Sequence, residues 1–409
     1  MSRIAIGLRA FVPGMLLAAT GVGAGDLSTS ALAGSATGVT LLWTVVLGCA
    51  MKALLTEGIA RQQLAGESLL STTLANASRP LVLFIAAFFA LWTFLVGAAL
   101  MSASGVVLHA CLPLLQDAND DKVVYGIASS LLGLALVRRG GFVWFERSMA
   151  VCTAVMAFAV MGCALALAPN WAEVARGLVV PSVPGGASGH TWAIALIGGI
   201  GGTVTLLCYG YWIAEKGRNS PADLPACRVD LAAAYATTAL FGIGMVIVGS
   251  RLNFHGEGGG ATLAVLLSDQ LGRVLGPLGS AGFLAGAFAA VYSSLLGVWH
   301  SVPYLFADGL RARSGNTSKQ PLHTTRAYRA AQWTLALVPM TGLAVGFAKM
   351  QKAYAVIGSL FTPLLALALF AALRRPQLGA LRVRPWHTAL FLLIAVFYCV
   401  ELVQTMVDA

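Results

Sequence analysis

Thr20-Gly21-Val22-Gly23-Ala24-Gly25-Asp26 interrupts an apolar segment that runs from about Leu8 to Ala33. A helix crossing lipid has no use for three glycines and a carboxylate at mid-depth unless the backbone opens there around something bound. Peptide groups released by a broken helix cannot reach water in the hydrocarbon, so such breaks persist only where protein buries them or where they line a cavity. An ionisable side chain at that depth marks a functional site by default. A second interrupted segment, Ile197-Gly198-Gly199-Ile200-Gly201-Gly202-Thr203-Val204-Thr205-Leu206-Leu207-Cys208-Tyr209-Gly210-Tyr211, occupies the matching place in the second half of the chain. Paired breaks of this kind point to an inverted repeat with its binding site near the membrane midplane.

Composition agrees: of 409 residues 58% are hydrophobic and 10% charged, which describes a multi-pass protein of the lipid bilayer and not a soluble enzyme. Apolar runs of about the ~20 residues that span hydrocarbon fall near 8–33, 38–60, 79–107, 123–137, 141–168, 191–214, 229–250, 279–303, 330–349, 353–373 and 386–406. The first has no small-residue cleavage site and reads as a retained helix, not a signal peptide. With the N-terminus inside, 19 of the 26 Lys and Arg fall on the inner side, six fall outside, and Lys52 lies within a span. The positive-inside rule therefore predicts a cytoplasmic N-terminus and an outer C-terminus in a bacterial-type inner (plasma) membrane. The net charge of +10 is on this reading a topology signal, with no nucleic-acid partner. Seven scattered cysteines indicate neither a disulfide framework nor a zinc site. Ala261 to Leu275 reads as an amphipathic helix over the outer face, and Asp308 to Arg329 as a mobile inner connector.

Spans one to five (8–168) and six to ten (191–375) superpose as two five-helix units, each opening with its broken helix, and the odd number inverts one relative to the other. The expected fold is an all-α integral membrane protein with a LeuT-like inverted repeat of 5+5 helices, discontinuous helices 1 and 6, and an eleventh helix at 386–406. Residues 1–409 then form a single transporter domain, expected to act as a monomer because the repeat builds its site within one chain.

Val12-Pro13-Gly14-Met15, Ala31-Leu32-Ala33-Gly34 and Leu41-Leu42-Trp43 resemble the first two helices of the Nramp metal-ion transporters, and the eleven-span layout extends the resemblance over nearly the whole chain. The resemblance implies metal-site motifs Asp-Pro-Gly-Asn in the first break and Met-Pro-His in the second. Here those positions read Gly23-Ala24-Gly25-Asp26 and Thr205-Leu206-Leu207. The family's metal-binding Asp is Gly23, its Asn is Asp26, its Met is Thr205, its proton-linked His is Leu207, and a polar Gln of the tenth span is replaced near Gly358. A thioether selects softer transition metals, whereas hydroxyls, carbonyls and carboxylates suit hard ions. Losing Met and the first Asp together argues against Mn²⁺, Fe²⁺ or Cd²⁺ as substrate.

Each candidate residue has a structural and a functional reading. Asp26 stands where a half-helix N-cap would stand, or binds the transported or coupling ion. Lys52, about nine residues from Arg61, is too deep for easy snorkelling; it pairs with an acid on a neighbouring helix or presents its charge to the central cavity. Glu57 lies four residues before Arg61 in the favourable ion-pair order and reads as an ion-pair or gating residue with a possible coupling role. Gly21, Gly23 and Gly25, with Gly198, Gly199, Gly201 and Gly202, either let helices pack closely or leave N–H groups open to an anion. Thr203, Thr205, Cys208 and Tyr209 follow the second break and are candidate ion-site residues. His300, with Ser293, Ser294 and Pro303, is a bundle residue or a proton-coupling group.

The reading these residues favour is an ion-coupled secondary transporter of a small inorganic ion. Gly23 in place of an acid, together with Lys52, tips the expected substrate toward an anion such as bicarbonate, with Asp26 left for a coupling Na⁺ or H⁺. The alternative is a divalent metal, Mg²⁺ or Mn²⁺, held at Asp26 and Thr205. No cofactor is expected. An enzyme would need a nucleophile–base set, a sensor an output domain, and a channel a ring of ligands from several chains; the sequence shows the first two of these nowhere.

Overall fold

The computed structural model describes residues 12–139, 141–184, 187–251, 260–314 and 320–407. Arg3, Arg9, residues 8–11 of the first expected span, residues 315–319 of the inner connector and the C-terminal Ala409 lie outside the described residues. The helices in chain order are α1 (Val12–Gly21), α2 (Ala24–Thr37), α3 (Leu42–Leu64), α4 (Leu69–Ala75), α5 (Arg79–Cys111), α6 (Ala118–Arg139), α7 (Gly141–Ala166), α8 (Trp171–Val179) and α9 (Ala187–Gly199). They continue with α10 (Cys208–Glu215), α11 (Leu224–Arg251), α12 (Gly260–Leu275), α13 (Pro277–Ser314), α14 (Arg326–Leu337), α15 (Phe347–Ser359), α16 (Phe361–Ala372) and α17 (Pro385–Val407).

Among the described residues, seven helical segments are long and apolar enough to cross a membrane. The chain is a multi-pass, all-helical membrane protein. Its first span is the broken pair α1/α2, and its sixth is the pair α9/α10. The tenth is a broken pair as well, α15/α16, parted at Leu360. No glycine run marks that third break, and the sequence reading treats 353–373 as continuous. The inner connector is also shorter than expected. α13 stays helical past Asp308 to Ser314, giving a 38-residue rod that runs through Pro303. The amphipathic segment expected at 261–275 is the helix α12.

The second break owes its shape to two residues without Cβ. Gly201 and Gly202 have φ of +85° and +83°, a left-handed conformation that side chains rarely tolerate. A 3₁₀ turn, Val204–Leu207, then leads into α10. The first break lies directly against it: a Cβ on Gly21 would stand 3.1 Å from the Gly201 carbonyl. Small residues also let α2 cross α11 at backbone contact. Gly34 faces the Val246 carbonyl and Gly249 faces the Ala31 carbonyl, leaving no room for a side chain at either. The broken pairs thus sit at the middle of the bundle, walled by α3, α5, α11, α13 and α15.

Candidate functional site

Asp26 ties the two breaks together. Its Oδ1 accepts the amide of Gly201 at 2.8 Å and its Oδ2 accepts the amide of Gly23 at 3.0 Å. The second bond belongs to the capping geometry that starts α2, with Gly23 at the cap position and Asp26 three residues on. Both amides are released by helix interruption, and a buried N–H must find an acceptor. The carboxylate supplies one to each break and is only 5% exposed.

Around Asp26 opens a cavity of about 390 Å³. The first broken pair contributes Thr20, Gly21, Gly23, Gly25, Ser28 and Thr29; the second contributes Gly198, Gly199, Gly202, Thr203 and Thr205. α13 adds Ser294 and Val298, and α15 adds Gln351, Lys352, Tyr354, Gly358 and Ser359. Lys352 is exposed and stands where α15 flanks the opening. The Thr205 hydroxyl is buried on this wall with no protein partner. At Gly358 the missing side chain leaves a gap in which a Cβ would meet Thr203 Oγ1 at 3.2 Å and Trp92 Nε1 at 3.7 Å. The polar lining is oxygen-rich, contains one acid, and offers no sulfur ligand. Among the described residues no group of three or more His, Cys, Asp or Glu is placed to hold a metal.

The structure brings Gly21, Gly23, Gly25, Asp26, Thr203 and Thr205 to one cavity and takes five other expected residues elsewhere. Lys52 is fully buried and is not among the lining residues. Its ammonium donates to the carbonyl of Gly198 at 2.9 Å and also to that of Ile200. α9 ends at Gly199, so these carbonyls have lost their helical donors, and a cation at a helix C-terminus also meets the negative end of its dipole. The expectation that Lys52 lends its charge to the cavity is therefore corrected: it closes the end of α9. Cys208 and Tyr209 are fully buried beneath the break and do not line the cavity. The Tyr209 hydroxyl donates to Asp230 at 2.9 Å. His300 lines a separate cavity with Tyr304, His323 and Gln332, stacks on Phe145 at 4.1 Å, and accepts the Trp212 indole N–H at 3.3 Å. Glu57 is held by Arg61 at 2.7 Å and by Arg228 at 3.0 Å, a bridge between α3 and α11.

Beyond the breaks, the half of the bundle holding α1 and α10 is closed. Asp230 on α11 accepts the Gly14 amide at 2.9 Å, the Tyr209 hydroxyl, and Arg218 at 3.1 Å. Further along, α10 and α13 exchange two bonds: Tyr211 donates to Asp308 at 2.8 Å, and Tyr304 donates back to Glu215 at 2.6 Å. The two rings stack at 5.2 Å. Asp308 also accepts Ser68, and Glu215 meets His323 at 2.8 Å. A vestibule of about 830 Å³ lies outside this clasp. Sequence reasoning singled out neither Asp230 nor the clasp; the Tyr-x-x-x-Glu and Tyr-x-x-x-Asp spacings were the available signal.

The chain matches the profile of natural resistance-associated macrophage protein-like proteins over residues 14–408. No curated protein matches it. Among solved structures, two single-residue variants of the Eremococcus coleocola manganese transporter superpose with a TM-score of 0.76 at 16% and 17% identity, covering 98% of this chain and 87% of theirs. MhsT in complex with L-phenylalanine superposes with a TM-score of 0.62 at 16% identity, covering 97% and 98%. At these identities the likeness is one of fold, and it is the inverted repeat with discontinuous helices expected from the paired breaks.

Proposed function

The chain belongs to the Nramp family, and from that premise we propose that it is an ion-coupled secondary transporter of a hard inorganic cation, taken up largely hydrated, with Mg²⁺ the leading candidate. The observation that carries this reading is the pairing, in one cavity, of the Asp26 carboxylate with the partnerless hydroxyl of Thr205. Oxygen donors and a single acid suit a hard ion that keeps its waters. Six such waters need about 180 Å³ at about 30 Å³ each, which fits within about 390 Å³. The Eremococcus coleocola protein is a manganese transporter. In this chain Gly23 and Thr205 replace the acid and thioether that the family resemblance implies for a transition metal, so Mn²⁺ ranks below Mg²⁺.

Two observations speak against an anion such as bicarbonate. The Gly23 and Gly201 amides that would have bound it are already occupied by Asp26. Lys52, the cation that would have attracted it, is bonded to carbonyls behind the break. Membership of a transporter family also favours a carrier over an enzyme. In this proposal residues 8–168 and 191–375 are the inverted halves, 386–406 is peripheral, and the monomer sits N-terminus inward in a plasma membrane. The driving ion is Na⁺ or H⁺.

Proteoliposomes carrying the full chain, given Mg²⁺, Mn²⁺ or bicarbonate under imposed Na⁺ or H⁺ gradients, test the proposal. Mg²⁺ accumulation that exceeds Mn²⁺ is the expected result. Vesicles that concentrate bicarbonate and ignore both metals would overturn it.

A further inference from the structure

α6 and α14 lie side by side, and the surface they share changes character along its length. Ser130 of α6 donates to the Ala336 carbonyl of α14 at 2.8 Å. Eight residues further along α6, about 12 Å at about 1.5 Å per residue, the Arg138 guanidinium covers the ring of Trp333, earlier on α14, at 5.1 Å. The two helices therefore run in opposite senses. At the level of Ser130 the outer surface is apolar: Leu131 and Leu132 of α6 and Leu337 of α14 are exposed. Two turns separate Leu131 from Arg138, and one turn each separates Arg329, Trp333 and Leu337, so apolar and basic side chains fall on the same stripes. Trp333, exposed at the join, is the residue type that sits at headgroup depth.

Arg138 also lines the cavity of about 320 Å³ that holds His300, together with Arg329, His323 and Gln332. Among the described residues neither Arg138 nor Arg329 has a carboxylate partner. The single acid of the lining, Glu215, is engaged, accepting the Tyr304 hydroxyl at 2.6 Å and meeting His323 at 2.8 Å. Gln332 is buried, and its amide nitrogen, 3.4 Å from the Tyr328 hydroxyl, has a second hydrogen to give. The cavity thus offers two guanidinium forks and an amide donor beside an apolar surface. Such forks match phosphate oxygens two at a time. Arg138 belongs to the end of α6 that the excess of Lys and Arg assigns to the cytoplasmic side, where basic pockets between spanning helices take anionic headgroups.

We propose that this cavity binds an acidic glycerophospholipid of the inner leaflet. Arg138 and Arg329 grip its phosphodiester, Gln332 donates to one of the phosphate oxygens, and the acyl chains run past Trp333 along Leu131 and Leu337. Continuity of the charged and apolar surfaces favours a lipid over a free phosphate, which would gain nothing from the exposed leucines. Bound there, the lipid ties α6 to α14, helices from the two halves of the proposed repeat. The site requires the membrane-spanning fold and is independent of the ion carried.

The test titrates purified full-length protein with phosphatidylglycerol or phosphatidylcholine in mixed micelles at fixed ionic strength, with inorganic phosphate as the free-ion arm. Bound lipid is counted by native mass spectrometry while the melting temperature is followed. Phosphatidylglycerol is expected to bind and to raise the melting temperature, as a ligand of the folded state must; phosphatidylcholine and inorganic phosphate are expected to do neither. This comparison needs no variant. Arg138→Gln and Arg329→Gln are each expected to weaken phosphatidylglycerol binding about fivefold. Arg313→Gln, which removes an exposed charge of α13 outside the cavity, is expected to leave it unchanged. Phosphatidylglycerol with brominated chains is expected to quench tryptophan emission, and less so in Trp333→Phe. Equal binding of the two lipids overturns the site, as does wild-type affinity in the Arg138→Gln, Arg329→Gln double variant. Inorganic phosphate that stabilises as well as phosphatidylglycerol would replace the lipid by a free anion, and an equal loss in Arg313→Gln would reduce the effect to general surface charge; either result rejects the proposal.

Discussion

Asp26 and Gly201 are 175 residues apart in sequence and are joined by a 2.8 Å bond from the Gly201 amide to the Asp26 carboxylate. Since the other oxygen of the same carboxylate holds Gly23, both broken helices depend on one side chain. Asp26→Ala strips two buried amides of a charged acceptor, each worth about 1.5–3 kcal/mol. A clear drop in melting temperature together with loss of uptake is expected. Asp26→Asn keeps one good acceptor and should lie between Ala and wild type in stability, a ranking that thermal melts in detergent will check.

Thr205 separates binding from folding more cleanly. Its hydroxyl is buried with no protein partner, so replacement by an apolar group of the same shape is near neutral or stabilising. Thr205→Val should therefore leave the melting temperature unchanged or raised while KM for the transported cation rises about tenfold. Thr205→Ser should behave as wild type. A Val variant with normal KM would remove Thr205 from the site.

Gly23 faces Ser294: a Cβ there would stand 2.9 Å from the serine oxygen. Gly23→Asp, which restores the acid implied by the family resemblance, is thus expected to destabilise by about 1–3 kcal/mol through overpacking. Ser294→Ala in the same chain should recover a good part of the loss. A double-mutant cycle on denaturation midpoints measures the coupling, and additive effects would mean the two positions do not compete for space.

Lys52→Met discriminates between a structural and a substrate-facing lysine. With the ammonium gone, the Gly198 and Ile200 carbonyls lose a charged donor, at about 1.5–3 kcal/mol for such a bond. Stability is expected to fall, and any residual uptake should keep its ratio between Mg²⁺ and bicarbonate. A variant of wild-type stability whose substrate preference changes sign would return Lys52 to the cavity.

Much of the architecture was legible because glycine and aspartate have no cheap place inside lipid. Gly21, Gly23, Gly25 and Asp26 announced the first break, and the Gly198–Gly202 run announced the second. The break at Leu360 is marked only by the single Gly358 before it and Pro363 after it, with no glycine run and no acid, a far weaker signal. Lys52 illustrates the complementary limit. Its depth was readable, but its partners are carbonyls, which every residue possesses and no letter marks. Ser293 and Ser294 read as ordinary bundle serines for the same reason, since their partners are backbone oxygens of the first break. The length of α13 was underestimated because its final turns are polar and helical at once.

The crossed bonds between α10 and α13 limit how that end of the protein can move. Tyr211 and Glu215 are one turn apart on α10, as are Tyr304 and Asp308 on α13. Each tyrosine faces the other helix's acid. Sliding the helices by a turn would set tyrosine against tyrosine or acid against acid, so no intermediate register keeps even one bond. The pair is built like a buckle and not a ratchet: a one-turn slide of α10 along α13 would lose both bonds at once. The crossed pair thus fixes the register of α10 against α13 at the wall of the vestibule.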